Sequence, residues 1–472
     1  MCAIGIGQEG VVVISPLKLS DIANATGAQW AATEAEVSAV STDSRSIGPG
    51  SVFIALRGER FDGHAFLSDA ANAGAAAVIV EETSAADVTQ LVVDNTLKAY
   101  GQIAGLNRAR FKACGGKVIA LTGSSGKTSC KEMLAAILNQ QFSVLATGGN
   151  LNNEIGVPKT LLEIDGSHNV AVVEMGAAKR GDIGYLCDFA KPDIALITNA
   201  GPAHLEGFGS VQGVAETKGE IYLSLNKDAT AVINADDHYA SLWRDYAAAA
   251  QVVNVSLDNP KADVYAKDLQ LSDKGTQFTL VIDQVSTRVR LPVLGQAMVR
   301  NALLAAAAAR AAGASVDAIQ QGLAALKPVA GRVFPMSQSW GTLIDDSYNA
   351  NPASVKAAID VLAEFSGRRL LVLGAMAELG ADSAALHREV GEYARSKGLD
   401  CLLVCGEVAL PASEGAGEIG EYFSTKEALQ AALLERITAG DTVLVKGSRS
   451  AGMDSVVNAV ANAQLTGGNL PC

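Results

Sequence analysis

The chain has 472 residues, of which 49% are hydrophobic and 18% charged, and a formal net charge of −13. That length predicts two to four domains with large buried cores, and the acidic balance argues against a nucleic-acid surface, which needs basic patches. Seven scattered cysteines form no redox C-x-x-C motif and no zinc site, as expected of thiols in a reducing compartment.

At the N-terminus no basic segment leads into a long apolar core, and Glu9 interrupts the apolar residues. No signal peptide is expected. The Ala-rich stretch 303–312 is too short to cross a membrane, so the expectation is a cytoplasmic protein without a span. The first hundred residues predict a small α/β unit, with strands at 51–56 and 75–80, a helix at 65–73, and a helix at 95–111 leading out. Two polar stretches flank its first strand: Ser41-Thr42-Asp43-Ser44-Arg45, and the segment from Arg57 through Asp62-Gly63-His64. An anionic ligand between them is a weak expectation from these residues alone.

A middle unit follows, with buried strands expected at 118–121, 170–173, 194–197 and 231–233 and helices between. Alternating strands and helices imply a mostly parallel sheet with right-handed crossovers. Residues 264–282 alternate like antiparallel strands, and a long helix is expected at 299–312. The most informative segment is Thr122-Gly123-Ser124-Ser125-Gly126-Lys127-Thr128, between the strand 118–121 and a helical pattern at 129–138. Glycines let successive N–H groups converge on one anion, and the helix N-terminus adds partial positive charge. Lys127 would meet the outer phosphates, and the Thr128 hydroxyl a Mg²⁺ ion. Only two residues separate the glycines, where the common form of the motif has four.

Glu174 ends the strand 170–173 and is placed to reach a phosphate-bound cation, which favours oxygen ligands. His204 follows the strand 194–197 in Asn199-Ala200-Gly201-Pro202-Ala203-His204. Lys218 reads by itself as a helix-surface lysine, Asn234-Ala235-Asp236-Asp237 as a turn or a polar strand end, and Asn301 as a helix-start residue.

A boundary is expected at 327–331. The third unit then repeats strands at 343–345, 370–373, 401–404 and 442–445, with helices at 352–365 and 383–397, as an open α/β sheet. Its polar residues gather at strand ends, where such sheets bind ligands. They are Asp345-Asp346-Ser347-Tyr348-Asn349-Ala350-Asn351-Pro352 and Lys446-Gly447-Ser448-Arg449, the second an anion-site pattern.

Taken together, these motifs resemble the Mur ligase family, the ATP-dependent amide-forming enzymes of peptidoglycan precursor synthesis. The resemblance covers nearly the whole chain. The loop 122–128, Val173-Glu174-Met175-Gly176, Asn199 to His204 and Lys218 occur in the family's order. Within the family, Asp345 to Ser354, Met376-Ala377-Glu378-Leu379-Gly380 and Val443 to Arg449 are most similar to the member that adds D-alanyl-D-alanine to a UDP-N-acetylmuramoyl-tripeptide.

The resemblance implies three domains: a uridine-nucleotide domain at 1–98, a central ATP-binding domain at 99–327 and a Rossmann-like domain at 328–472. It implies that Gly123, Ser124, Ser125, Gly126, Lys127 and Thr128 hold ATP phosphate, with Asn301, Arg332 and Asp346 at the nucleotide. It implies a metal centre of Thr128, Glu174, His204 and Lys218, the last a lysine often carbamylated in the family. Lys127, Glu174, His204 and Lys218 then carry the catalysis. Ser44, Arg45, Asp62, Gly63 and His64 would meet the UDP substrate. Asn349, Asn351, Lys446, Ser448 and Arg449, all at strand ends of the third unit, are assigned to the dipeptide, whose carboxylate needs a cation. A monomer is expected.

Two positions depart from the family pattern: Ala297-Met298 where His-Asn is usual, and Ala375 where aspartate is usual. A folylpolyglutamate synthase-like ligase is the alternative within the class, and a P-loop switch protein the alternative outside it. The N-terminal unit argues against the first. The lack of an Asn-Lys-x-Asp segment argues against the second.

Overall fold

The computed structural model describes residues 11–30, 34–58, 61–202, 205–272, 274–327 and 329–462. Three sheets of five, nine and six strands follow one another along the chain.

The first sheet runs in the order Val11–Lys18, Glu36–Ser41, Ser51–Ile54, Ala77–Val80, Gln90–Val92. Only Val11–Lys18 is antiparallel to its neighbour. The inner strands Ser51–Ile54 and Ala77–Val80 are buried throughout. Parallel strands covered on both faces have that pattern. These are the two strands the sequence announces. The outer strands alternate or are short, and the sequence did not announce them. The helix expected at 95–111 is Thr96–Ala113, capped by Asn95. It is bonded into the central unit: Asn107 donates to the carbonyls of Leu161, Leu162 and Ile164, and Arg108 to Ala190, Lys191 and Asp193.

The central sheet has the order Val285–Leu291, Gly275–Ile282, Val264–Ser272, Gln251–Ser256, Thr230–Asn234, Ile194–Ile197, Lys117–Thr122, Val170–Glu174, Val144–Ala146. Its last seven strands are parallel, and Val264–Ile282 folds back as an antiparallel pair as expected. The strands Val144–Ala146 and Gln251–Ser256 were not foreseen; both are largely half-buried or exposed. The helices Lys127–Leu138 and Gln296–Ala312 pack together over one face. The second of these opens at Gln296, three residues before the expected start, because Ala297 and Met298 are good helix formers.

The third sheet has the order Phe334–Gln338, Gly341–Asp346, Asp441–Lys446, Arg369–Leu373, Cys401–Cys405, Gly420–Phe423. It is parallel except for its first strand. The four predicted strands are the four in the middle. Apolar packing continues from the central sheet into this unit through Leu294 and Met298 on one side and Val355 and Val361 on the other. Among the described residues, no helix is long and apolar enough to cross a membrane.

Candidate active site

The buried strand Lys117–Thr122 delivers the glycine loop to the carboxyl edge of the central sheet, and the helix Lys127–Leu138 leaves it. Gly123 has φ +151° and Gly126 φ +78°. A Cβ on Gly123 would lie 1.8 Å from Thr198 Oγ1, and one on Gly126 2.6 Å from Asn301 Nδ2. Both glycines are therefore required by close approach as well as by conformation. The neighbouring strand end holds the loop from outside. Ser124 N donates to the Asn199 carbonyl at 3.0 Å and Ser125 N to Asn199 Oδ1 at 3.1 Å. Thr198 Oγ1 donates to the Ser125 carbonyl at 2.6 Å. The loop is thus preorganised although it is two residues shorter than the common form. Lys127 Nζ folds back over it to the Gly123 carbonyl at 2.9 Å. Burial pushes the Lys127 pKa down; Glu174 opposes that, and the nearby Arg332 charge adds to it.

Glu174 is the last residue of a fully buried strand. Its carboxylate accepts from Thr128 Oγ1 at 3.0 Å and from Asn152 Nδ2 at 2.9 Å. A hydroxyl and a carboxylate side by side at a phosphate loop fit Mg²⁺, which is held by one or two carboxylates plus substrate oxygens. Among the described residues no cluster of three or more His, Cys, Asp or Glu forms a closed metal cage. His204 lies outside the described residues. Asn152 was missed by sequence reasoning; its signal was the Asn150-Leu151-Asn152-Asn153 stretch.

Lys218, a surface lysine on sequence grounds, is corrected by the structure: it is 2% exposed. The helix Val211–Leu223 carries it on its inner face, with Nζ 5.9 Å from the Phe208 ring centre. Burial, with the Lys127 charge nearby, holds its pKa well below the ordinary lysine value.

Two cavities open on this centre. One, of about 480 Å³, lies between the central and third units and is lined by Lys127, Thr128, Asn301, Arg332, Asp346 and Asn349 among others. The other, of about 1060 Å³, lies between the start of the Thr96–Ala113 helix and the central unit, and Lys218 lines it. Ser124, Lys127 and Asn152 line both. Lys98, Lys179 and Arg180 add cations to the larger cavity and were not foreseen; two of them follow the strand end at Glu174.

The structure revises the third-unit site. Asp346 and Lys446 end adjacent strands and form a buried ion pair, and Lys446 also donates to the Asn349 carbonyl at 2.9 Å. Lys446 was expected as a free cation for a carboxylate, and its charge is instead already matched. Asn351, also expected at the dipeptide, caps the helix Pro352–Ala363 in a capping box with Ser354. Its side chain has a structural task. Ser448 is buried; its backbone N–H meets the Ala375 carbonyl at 2.9 Å and its hydroxyl lies 3.2 Å from that of Ser450. Asn349, Asn351 and Lys446 line the smaller cavity, on the side of the glycine loop. Arg449 remains 70% exposed, 3.8 Å from Asp454, with its guanidinium 5.9 Å from the Tyr348 ring centre. Arg332 stacks on the same ring at 4.2 Å. Asn301 is buried within its helix and faces Gly126, so it is no helix-start residue.

In the first unit, Ser44-Arg45 and the 62–64 turn follow the carboxyl ends of two adjacent parallel strands. Arg45 is 88% exposed and paired with Asp43. Asp62 accepts from His64 N at 2.9 Å and from His64 Nδ1 at 2.7 Å, while His64 Nε2 accepts from Glu81 N at 3.0 Å. These bonds fix the ring with its proton on Nδ1. Neither stretch lines the two cavities.

The chain matches the profile of the Mur ligase middle domain over residues 121–309 and of the Mur ligase, glutamate ligase domain over 331–449. It matches that of the Mur ligase family, catalytic domain over 36–108. The UDP-N-acetylmuramoyl-tripeptide–D-alanyl-D-alanine ligase of Escherichia coli is 44% identical over 453 residues, 95% of this chain and 99% of that protein. A crystal structure of MurF from Acinetobacter baumannii superposes with a TM-score of 0.88 at 35% identity, covering 96% of this chain and 100% of the other. MurF ligase from Thermotoga maritima in complex with ADP does so at 0.79 and 30%, covering 89% and 96%. A folylpolyglutamate synthase from Mycobacterium tuberculosis, at 17% identity and a TM-score of 0.60, shares the fold alone, covering 78% of this chain and 95% of the other.

Proposed function

This chain belongs to the Mur ligase family, and we propose that it joins D-alanyl-D-alanine to UDP-N-acetylmuramoyl-tripeptide, converting ATP to ADP and phosphate, in peptidoglycan precursor synthesis. The observation that carries this reading is the position of Lys127, which lines both cavities. A nucleotide in the smaller cavity would present its terminal phosphate there to a carboxylate arriving through the larger one.

A carboxylate does not acylate an amine in water. On this reading the peptide carboxylate attacks the γ-phosphorus, ADP leaves, and an acyl phosphate forms. The dipeptide amine then attacks the acyl carbon, and phosphate leaves with the electron pair. Lys127 offsets negative charge on the transferring oxygens, while the Ser124 and Ser125 N–H groups are spent on Asn199 and fix the shape of the loop that carries it. Thr128 and Glu174 would hold Mg²⁺, with His204 as a further candidate; the ion supplies charge neutralisation at the phosphates. Asn152 and Thr128 orient the Glu174 carboxylate. Arg332 and Asn301 face the nucleotide, and the stacked Tyr348 ring limits where the Arg332 guanidinium can point.

Lys218 is proposed to be carbamylated. Desolvation favours its neutral amine, which can add to carbon dioxide with loss of a proton, leaving a carboxylate beside Lys127. Ser44, Arg45 and the 62–64 turn are proposed to meet the uridine nucleotide, and Arg449 the dipeptide carboxylate. The proposed domains are 1–98, 99–327 and 328–472; each contains one of the three large sheets. A monomer and a location in the cytoplasm are proposed.

Phosphate release measured with each substrate omitted in turn tests the function. Release is expected only when ATP, UDP-N-acetylmuramoyl-tripeptide and D-alanyl-D-alanine are all present, with the pentapeptide product accumulating in step. Release that ignores the dipeptide would refute the assignment.

A further inference from the structure

Arg300 follows Ala297 by about one turn of the helix Gln296–Ala312, and Asn301 is the next residue. All three line the smaller cavity. Its Nε is buried and has no hydrogen-bond partner. Asp236 Oδ2 pairs with it as an ion pair at 3.6 Å, beyond hydrogen-bond length. That carboxylate is already engaged, accepting from Ser256 Oγ and from Leu257 N. A guanidinium at a cavity wall with unmet donors is a group built to meet something else.

The sheet order shows which part of a nucleotide it would meet. The glycine loop follows the strand Lys117–Thr122. Glu174 ends the neighbouring strand on one side. Asp236, beside Arg300, follows the second strand over on the other side, Thr230–Asn234. Strands are about 4.8 Å apart, so Arg300 is anchored roughly 10 Å across the sheet from the phosphate loop, away from the metal side. A triphosphate with its terminal phosphate near Glu174 therefore runs its nucleoside toward Arg300. There the walls turn apolar: Leu294, Ala297 and Met298 face Ala357, Ala358 and Val361 of the third unit. A flat base fits between such walls. Ala297 offers it no polar contact.

We infer that Arg300 holds the nucleoside end of ATP in this chain, donating to base or ribose oxygen and nitrogen acceptors and stacking its planar guanidinium beside the base. This rests on the ligase reading above. Arg300 is a binding residue; the phosphoryl chemistry lies with Lys127 and Glu174.

The test is calorimetric binding of ADP and of inorganic tripolyphosphate to the full chain and to its Arg300→Ala and Arg300→Lys variants. Tripolyphosphate carries the charge without the nucleoside. Arg300→Ala is expected to weaken ADP about tenfold, as loss of one cation contact would, and to leave tripolyphosphate unchanged. Arg300→Lys should recover only part of the loss, since it keeps the charge but not the planar fork. Retained tripolyphosphate binding also shows that the variants fold. Equal weakening of both ligands would place Arg300 at the phosphates and overturn the inference. Unchanged ADP binding by Arg300→Ala would overturn it too, while leaving the ligase reading intact. A wild-type chain that binds no ADP would remove both.

Discussion

The buried pair of Asp346 and Lys446 ties the second and third strands of the third sheet together at the wall of the smaller cavity. Their side chains are 10% and 3% exposed. Removing one charge strands the other. In Asp346→Leu, Lys446 keeps the Asn349 carbonyl as its remaining acceptor. In Lys446→Met, Asp346 keeps the Val333 N–H at 3.3 Å. Breaking such a pair from one side costs about 3–5 kcal/mol, because the residual charge stays desolvated. Replacing both partners by apolar groups of similar volume is often near neutral. Hydrogen exchange of the strand Asp441–Lys446 reads the effect locally, without assuming that three units unfold together. Each single variant should raise exchange there by about 10²–10⁴-fold, following the drop in opening free energy. The double variant Asp346→Leu with Lys446→Met should return most of the protection. If the double variant exchanged as fast as the product of the two single effects, the charges would not be coupled. The ion pair would then be wrongly drawn.

Three further outcomes follow from the same geometry. Lys127→Ala should lower phosphate release by about 10²-fold or more with the fold retained, as loss of a charge aimed at a transferring phosphoryl group does; near-normal turnover would refute its role. His387 is buried, accepts from Met376 N at 2.9 Å, and has its pKa lowered by desolvation. Its folded pKa lies below its unfolded one, so its contribution is whole above about pH 6.5 and is lost as pH falls toward the folded value, by at most about 1.4 kcal/mol per pH unit. The thermal midpoint of His387→Gln should therefore fall less than that of wild type between pH 7.5 and 5.5 (roughly the window below the unfolded pKa), and parallel curves would contradict this. Arg449 is the exposed cation of the loop in which Lys446 is already paired, so Arg449→Ala should raise the KM for D-alanyl-D-alanine far more than that for ATP. Steady-state kinetics with each substrate varied decides, and an equal loss for both would move Arg449 to the nucleotide.

What the sequence revealed was what local pattern controls. Fully buried strands such as Val170–Glu174 and Ile194–Ile197 are continuous apolar runs, and the glycine loop between strand and helix carries its own backbone demands. Edge strands such as Val144–Ala146 and Gly420–Phe423 were invisible, because they are only partly covered and their residues fit a loop equally well. Partner choice was also invisible. Nothing near Lys446 in the chain says that it pairs with Asp346, one hundred residues earlier. Nothing near Lys218 says that the inner face of its helix abuts Lys127. Both are tertiary facts, and both changed what those lysines can do. Asn351 shows the opposite case: a polar residue before proline satisfies a helix end, and that local need, legible in the sequence, accounts for its side chain.

Among the described residues, the two cavities share Ser124, Lys127 and Asn152 as lining, which constrains the order of events. A nucleotide in the smaller cavity is enclosed by the third unit, whose Arg332, Asp346 and Asn349 form its far wall. The larger cavity is walled by the central unit and the start of the first-unit helix. On the proposed reading, a carboxylate entering there would meet the terminal phosphate at Lys127, which lines both cavities. The reactive acyl group would then sit at the junction itself, beside Lys127 and Lys218. Water must be excluded at that point above all others; Lys218 is buried there, whereas Lys127 stands half-buried at the wall of both cavities, so the bound substrates themselves must displace the water.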